Sequence, residues 1–148
     1  MLSRDEIKEY LKNNLQEERY NHVLGVAETA KKLAGLNNVD EDIAELAGFA
    51  HDVAKNMQID EMKKIMDENN IILSEVEEIN KSLWHSIIAP IVAKEKLGIE
   101  DEEILSSLRW HTTGKEDMTT LEKIIYIADM IEPTRAVSYT HLRAHETT

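Results

Sequence analysis

Six residues of two kinds are the ones able to do chemistry: His22, His51, Asp52, His85, His111 and Asp129. Neutral imidazole and carboxylate together suit iron, manganese, zinc or other first-row ions. Asp129 interrupts the apolar segment KIIYIADMIEP, where an ionisable group is costly to bury unless it is paired or metal-bound. His51 and Asp52 are adjacent, and on a helix they would project about 100° apart, so that the carboxylate can lie between two neighbouring ions. Four histidines and two aspartates exceed the needs of one tetrahedral zinc. They suit a two-metal site with open positions, the arrangement that clamps both sides of an in-line phosphoryl displacement. A single histidine on an apolar helix face is more often a satisfied core residue, and a His-Asp dipeptide alone carries little weight. The ordered set carries the reading.

Cations stand near these residues. Lys55 lies four positions after His51, Arg19 three before His22, and Arg135 a few past Asp129. Each is a candidate phosphate contact, against the ordinary reading of a solvated surface charge. Thr112, Thr113, Gly114 and Lys115 follow His111 and read either as a phosphate-facing turn or as a helix stop, since glycine ends helices. Trp84 and Trp110 each precede a candidate ligand. Core packing is favoured for both over stacking on a base. Glu18, Glu28 and Glu122 read as surface acids or caps, and the acidic run at 100–103 as charge favourable to a helix N-terminus.

These residues need helices to hold them. Ser3 with Glu6, Ser74 with Glu77 and Thr119 with Glu122 are capping boxes. The apolar period predicts helices over 3–15, 19–34, from Asp40, from Asp60, from Ser74, over 85–97, over 101–111, and from Thr119 to Pro133. Gly35 is expected to stop the second in the left-handed region and Gly98 the sixth, with Pro90 delaying or bending the latter. No stretch alternates long enough for a strand. The expected fold is an all-α bundle of about eight helices.

The chain has 148 residues, and 42% are hydrophobic, enough for one core. It holds no cysteine, which excludes disulfides, thiolate metal sites and a cysteine nucleophile. The 17 basic and 29 acidic residues give a net charge of −12, which argues against a nucleic-acid coat but not against a small anion bound through metals. No apolar run approaches the roughly 20 residues that span a membrane, and no apolar signal core opens the chain, so a cytoplasmic location is expected.

The ordered ligand set resembles that of the HD-domain metal-dependent phosphohydrolases. RYNHVLGVAETA around His22, HDVAK around His51, WH at His85, RWHTTG around His111 and LEKIIYIADMIEPTR around Asp129 look like the YqeK family, the symmetrical bis(5′-nucleosyl)-tetraphosphatases. The resemblance covers roughly residues 19–135. It implies hydrolysis of diadenosine tetraphosphate to two ADP at two divalent ions, iron foremost, with manganese or other divalent ions open. It also implies His22, His51 and Asp129 on one ion, His85 and His111 on the other, and Asp52 between them. A hydroxide generated from water by the two cations would attack an inner phosphorus. The catalytic residues would be Asp52 and Lys55, and the substrate contacts Arg19, Lys55, Thr112, Thr113, Gly114 and Arg135. The implied partner is a small-molecule dinucleoside polyphosphate, without nucleic acid or membrane, and a homodimer is compatible. Rival readings are an HD phosphohydrolase of a mononucleotide or alarmone, and a metal- or nucleotide-binding regulatory module without turnover. After the EPTR string, residues 136–148 (AVSYTHLRAHETT) depart from the family and look like vector read-through; His141 and His145 there are taken as accidental. The expected organisation is an HD domain over 1–135 lacking its native C-terminal helix, with a non-native-looking tail.

Overall fold

In the computed structural model, residues 1–134 are described. Arg135, the tail over 136–148 and its two histidines lie outside the described residues. Among the described residues there are eight α-helices and no strand: α1 (Arg4–Asn14), α2 (Glu17–Leu36), α3 (Glu41–Ala50), α4 (Ile59–Glu68), α5 (Glu75–Ile79), α6 (Trp84–Val92), α7 (Glu102–Arg109) and α8 (Thr120–Ile131). No described helix is long and apolar enough to cross a membrane.

The starts follow from the caps. All three capping boxes form, and the Asp40 and Asp101 carboxylates accept from the backbone N–H groups of the first turns of α3 and α7. The fourth helix corrects the sequence reading. Gln58 stands at its cap position without a side-chain bond, and Asp60 lies inside the first turn, where its charge still favours the N-terminus.

The ends depart more. Gly35 is helical, and α2 runs on to Leu36; the left-handed residue is Asn38, at φ 58°. Asparagine tolerates that region, and the Val39 N–H closes back onto the Ala34 carbonyl at 3.0 Å. Gly98 does stop its segment, at φ 71°. Pro90 neither delays nor breaks α6, which begins at Trp84 and passes straight into a π-turn over Ala93–Leu97. The helix thus survives a residue that cannot donate, and the ladder widens just beyond it.

At the centre, α2 packs along α3 and α8, α3 against α7, and α7 between α6 and α8. Small residues let these axes approach: Ala27, Ala30, Ala44, Ala47 and Ala50 are all buried. A Cβ placed on Gly48 would stand 2.6 Å from the Ala27 Cα, so α2 and α3 meet backbone to backbone there. α1 closes one side against α2 and α3, and α4 leans on α6. Trp84 is buried, and its indole N–H donates to the Glu77 carbonyl at 2.7 Å, the packing role expected of it.

Candidate metal centre and cleft

The six candidate ligands arrive from five places in the fold. His22 projects from the middle of α2. His51 and Asp52 lie just past α3, not on a continuing helix: residues 51–56 form consecutive tight turns closed by i+3 bonds such as Lys55 N–H to the Asp52 carbonyl at 2.9 Å. The His51 ring itself binds the Gly48 carbonyl at 2.7 Å, a group that a continuing helix would need for its own ladder. His85 opens α6. His111 lies two residues past α7, which ends at Arg109 rather than at the expected 111. Asp129 comes from the last turn of α8.

These side chains converge. One ligand atom each from His22, His51, Asp52 and Asp129 lies within 4.8 Å of the others, and the same holds for Asp52, His85 and His111. Asp52 belongs to both groups. Its Oδ2 lies 3.3 Å from His51 Nε2, and its Oδ1 lies 3.3 Å from His111 Nε2 and 3.7 Å from His85 Nε2. His22 Nε2 is 2.7 Å from Asp129 Oδ1, which is itself 3.4 Å from His51 Nε2.

Burial makes the arrangement expensive without a cation. His51 is fully buried, and its Nε2 has no hydrogen-bond partner among the described residues. Burial draws the His51 imidazole down, but Asp52 and Asp129 outweigh it and hold its pKa up at about 10. Burial also pushes the Asp52 carboxyl up, yet His51 and His111 keep it well below the ordinary carboxylate range. Asp129 is likewise lowered, with His22 and His51 overcoming its desolvation. His85 goes the other way: burial pushes it down to about 4, against the partial pull of Asp52. Donor atoms about 3 Å apart around a common centre are what one ion with bonds near 2.1 Å requires. The residues therefore fit divalent metal, with nitrogen and oxygen donors and no sulfur.

The cluster opens onto a cleft of about 330 Å³ lined by Arg19, Asp52, Lys55, His85, His111, Thr112, Tyr126, Asp129 and Met130. Arg19 donates to Asp52 Oδ2 at 2.9 Å, so it grips the shared carboxylate as well as facing the cleft. Thr112 lines the cleft and shares a hydrogen bond of 2.9 Å with the Ser86 hydroxyl, tying the loop after α7 to α6. Thr113 and Gly114 are not among the lining residues. Thr113 is exposed and donates to the Gly114 carbonyl at 3.0 Å, and Gly114 supplies a left-handed turn at φ 67°.

Three residues were missed from sequence. Tyr126 and Met130 form the wall beside Asp129, at spacings that put all three near one helix face. Glu132 read as part of a helix-ending string, yet it is fully buried and accepts from His22 Nδ1 at 2.6 Å. Glu122, read as a surface acid or cap, is indeed a cap. It is also fully buried, accepting from the Ser106 hydroxyl at 2.6 Å with Lys115 at 3.4 Å.

The HD-domain family model matches residues 19–134. The symmetrical bis(5′-nucleosyl)-tetraphosphatase of Bacillus subtilis is 39% identical over 135 residues, covering 91% of this chain and 72% of the relative. The protein of the same name from Staphylococcus aureus is 40% identical over 136 residues, covering 90% and 68%. Among solved structures, a predicted HD superfamily hydrolase involved in NAD metabolism from Clostridium acetobutylicum superposes with a TM-score of 0.87 at 45% identity, covering 90% of this chain and 70% of that one.

Proposed function

Because this chain belongs to the HD-domain family, we propose that it hydrolyses diadenosine tetraphosphate symmetrically, to two ADP, at a pair of divalent cations. The relatives that bear the name of that activity match it over about nine-tenths of its length, 91% in one case. The observation that carries the two-cation reading is the pair of Asp52 oxygens, which face different histidines, Oδ2 toward His51 and Oδ1 toward His111 and His85. His22, His51 and Asp129 would hold one ion, His85 and His111 the other, and Asp52 both. Iron is our first assignment, with manganese or another divalent ion as the alternative.

When bound, the ions supply Lewis-acid polarisation of phosphoryl oxygens and acidify the attacking water. The chain supplies the rest. Lys55 and Thr112 line the cleft beside the ligands, where a tetraphosphate would lie, and Lys55 offsets charge as the central P–O bond breaks. Arg19 holds Asp52 in place while facing the same space. Neutral His85 keeps a lone pair available. Thr113 and Gly114, which stand outside the cleft lining, would reach a substrate only beyond its rim, and Arg135, outside the described residues, is proposed as a contact on the resemblance alone. We assign the reaction to the cytoplasm, with a free dinucleotide as the partner.

The test is product analysis by anion-exchange chromatography on the metal-loaded protein, with diadenosine tetraphosphate, ATP, dATP and AMP supplied separately. ADP as the sole product, from the dinucleotide alone, is expected. ATP plus AMP would sink the symmetrical assignment, and turnover of a mononucleotide would move the protein to another HD activity.

A further inference from the structure

We propose that Glu132 is the positioning residue of this site: seated in space that Gly25 leaves open, it fixes the His22 ring and makes the His22–His51–Asp129 group the tighter of the two cation positions. The inference rests on the two-cation reading above.

The four histidines are not oriented alike. His51, His85 and His111 each set Nδ1 on the carbonyl three residues earlier, those of Gly48, Ser82 and Leu108, at 2.7, 2.8 and 2.7 Å. His51 and His111 follow helix ends, where the carbonyls of a last turn lack an intrahelical donor, and His85 takes a carbonyl that precedes α6. His22 stands inside α2, where neighbouring carbonyls are taken by the helix's own ladder. It needs a partner from elsewhere, and Glu132 Oε1 meets its Nδ1 at 2.6 Å. Glu132 is the first residue past α8 and is fully buried. Thr134 steadies it, donating from its backbone N–H to Oε2 at 2.9 Å and from its hydroxyl to Oε1.

Gly25 lies three positions after His22 on the same helix. A Cβ there would stand 2.2 Å from Glu132 Oε2. That atom is the tip of a side chain, so a methyl group would turn the carboxylate aside and leave the α2–α8 packing in place.

A carboxylate on Nδ1–H fixes the tautomer that leaves the Nε2 lone pair toward the site and enriches that nitrogen as a donor. Counting Asp52 and Asp129, the His22 group gathers three carboxylates. Among the described residues the His85–His111 group has Asp52 alone and neutral carbonyl partners, while Arg19 bonds the Asp52 oxygen that faces His51 and Lys55 lines the same cleft. A cation is therefore held unequally at the two positions.

Manganese(II) binding to wild type, Glu132→Gln and Gly25→Ala, measured by calorimetry with chelator competition, tests this, with melting of the metal-free proteins as the fold control. Wild type should bind two ions, one more tightly. Glu132→Gln keeps shape but not charge and should weaken the tight position by about 10–100-fold, leaving the other within about twofold. Gly25→Ala should do the same. Wild-type affinities at both positions in Glu132→Gln, or a loss confined to the weaker one, would overturn the proposal. A wild-type protein that takes up only one ion would overturn the two-cation reading and this ranking with it, a failure told apart because it precedes any substitution.

Discussion

Asp52 is shared by both ligand groups, so its removal acts on both at once. It lies beyond α3, in a turn. Asp52→Ala should therefore lower turnover by at least about 10³-fold, the several kcal/mol that metal assistance supplies. It should also strip divalent metal from the purified protein while leaving the far-ultraviolet circular dichroism nearly unchanged. Retained activity would end the bridging role. Lys55 lines the cleft and belongs to neither ligand group. Lys55→Ala should cut kcat/KM by about 10²-fold with metal content unaltered; lost metal would reassign it. At this scale the convergence of the six candidate ligands was legible because they stand as an ordered set of histidines and aspartates, no member of which would have carried the reading alone. Glu132 was not, because nothing local distinguishes a buried acid past a helix end from an exposed one. It is buried against α2, beside Gly25 and His22, a contact more than a hundred positions away in sequence.

The helices matter as rulers. α2 delivers His22 and α3 ends just before His51, and the two run together with the Gly48 Cα hydrogen facing the Ala27 backbone. Gly48→Ala forces backbone apart rather than a side-chain tip. It should destabilise the fold by about 1–3 kcal/mol or more in urea titration and weaken metal binding as His22 and His51 separate. Stability near wild type would mean the contact is slacker than it looks. Helix starts were readable because capping is local chemistry written in two or three residues: Ser3, Ser74 and Thr119 all behave as their boxes require. Helix ends were less so. The apolar pattern continues through Val53 and Ala54, both buried, and so hides the end of α3 at Ala50. That end is bound up with the His51 ring taking a carbonyl, a contact no periodicity records. Gly35 misled for the opposite reason, since glycine permits the left-handed region without requiring it and Asn38 served instead.

Across the whole molecule, an assembly of buried carboxylates and imidazoles should be less stable empty than filled, because ions that bind only the folded chain add their binding energy to it. Metal at about 100-fold above its dissociation constant contributes about 2.7 kcal/mol, or roughly 10 °C in Tm for a domain of this size. Chelation should lower the melting temperature by that amount and re-addition should restore it. Coincident melting curves would mean that the cluster binds nothing in solution. The bundle's net charge of −12 adds to the same effect, since each bound cation relieves self-repulsion. One distance along the chain gives the site a place in time. His22 and Glu132 are 110 positions apart, and His22 and Asp129 are 107. During synthesis the histidines of α2 and α3 emerge long before the acids that complete their pocket, so a nascent chain carries an open fork of imidazoles and no finished cage. The group of His22, His51, Asp52 and Asp129 is thus complete only in a chain that has been read through to α8, and in a protein with no cysteine a cation held there would clasp together residues 107 positions apart.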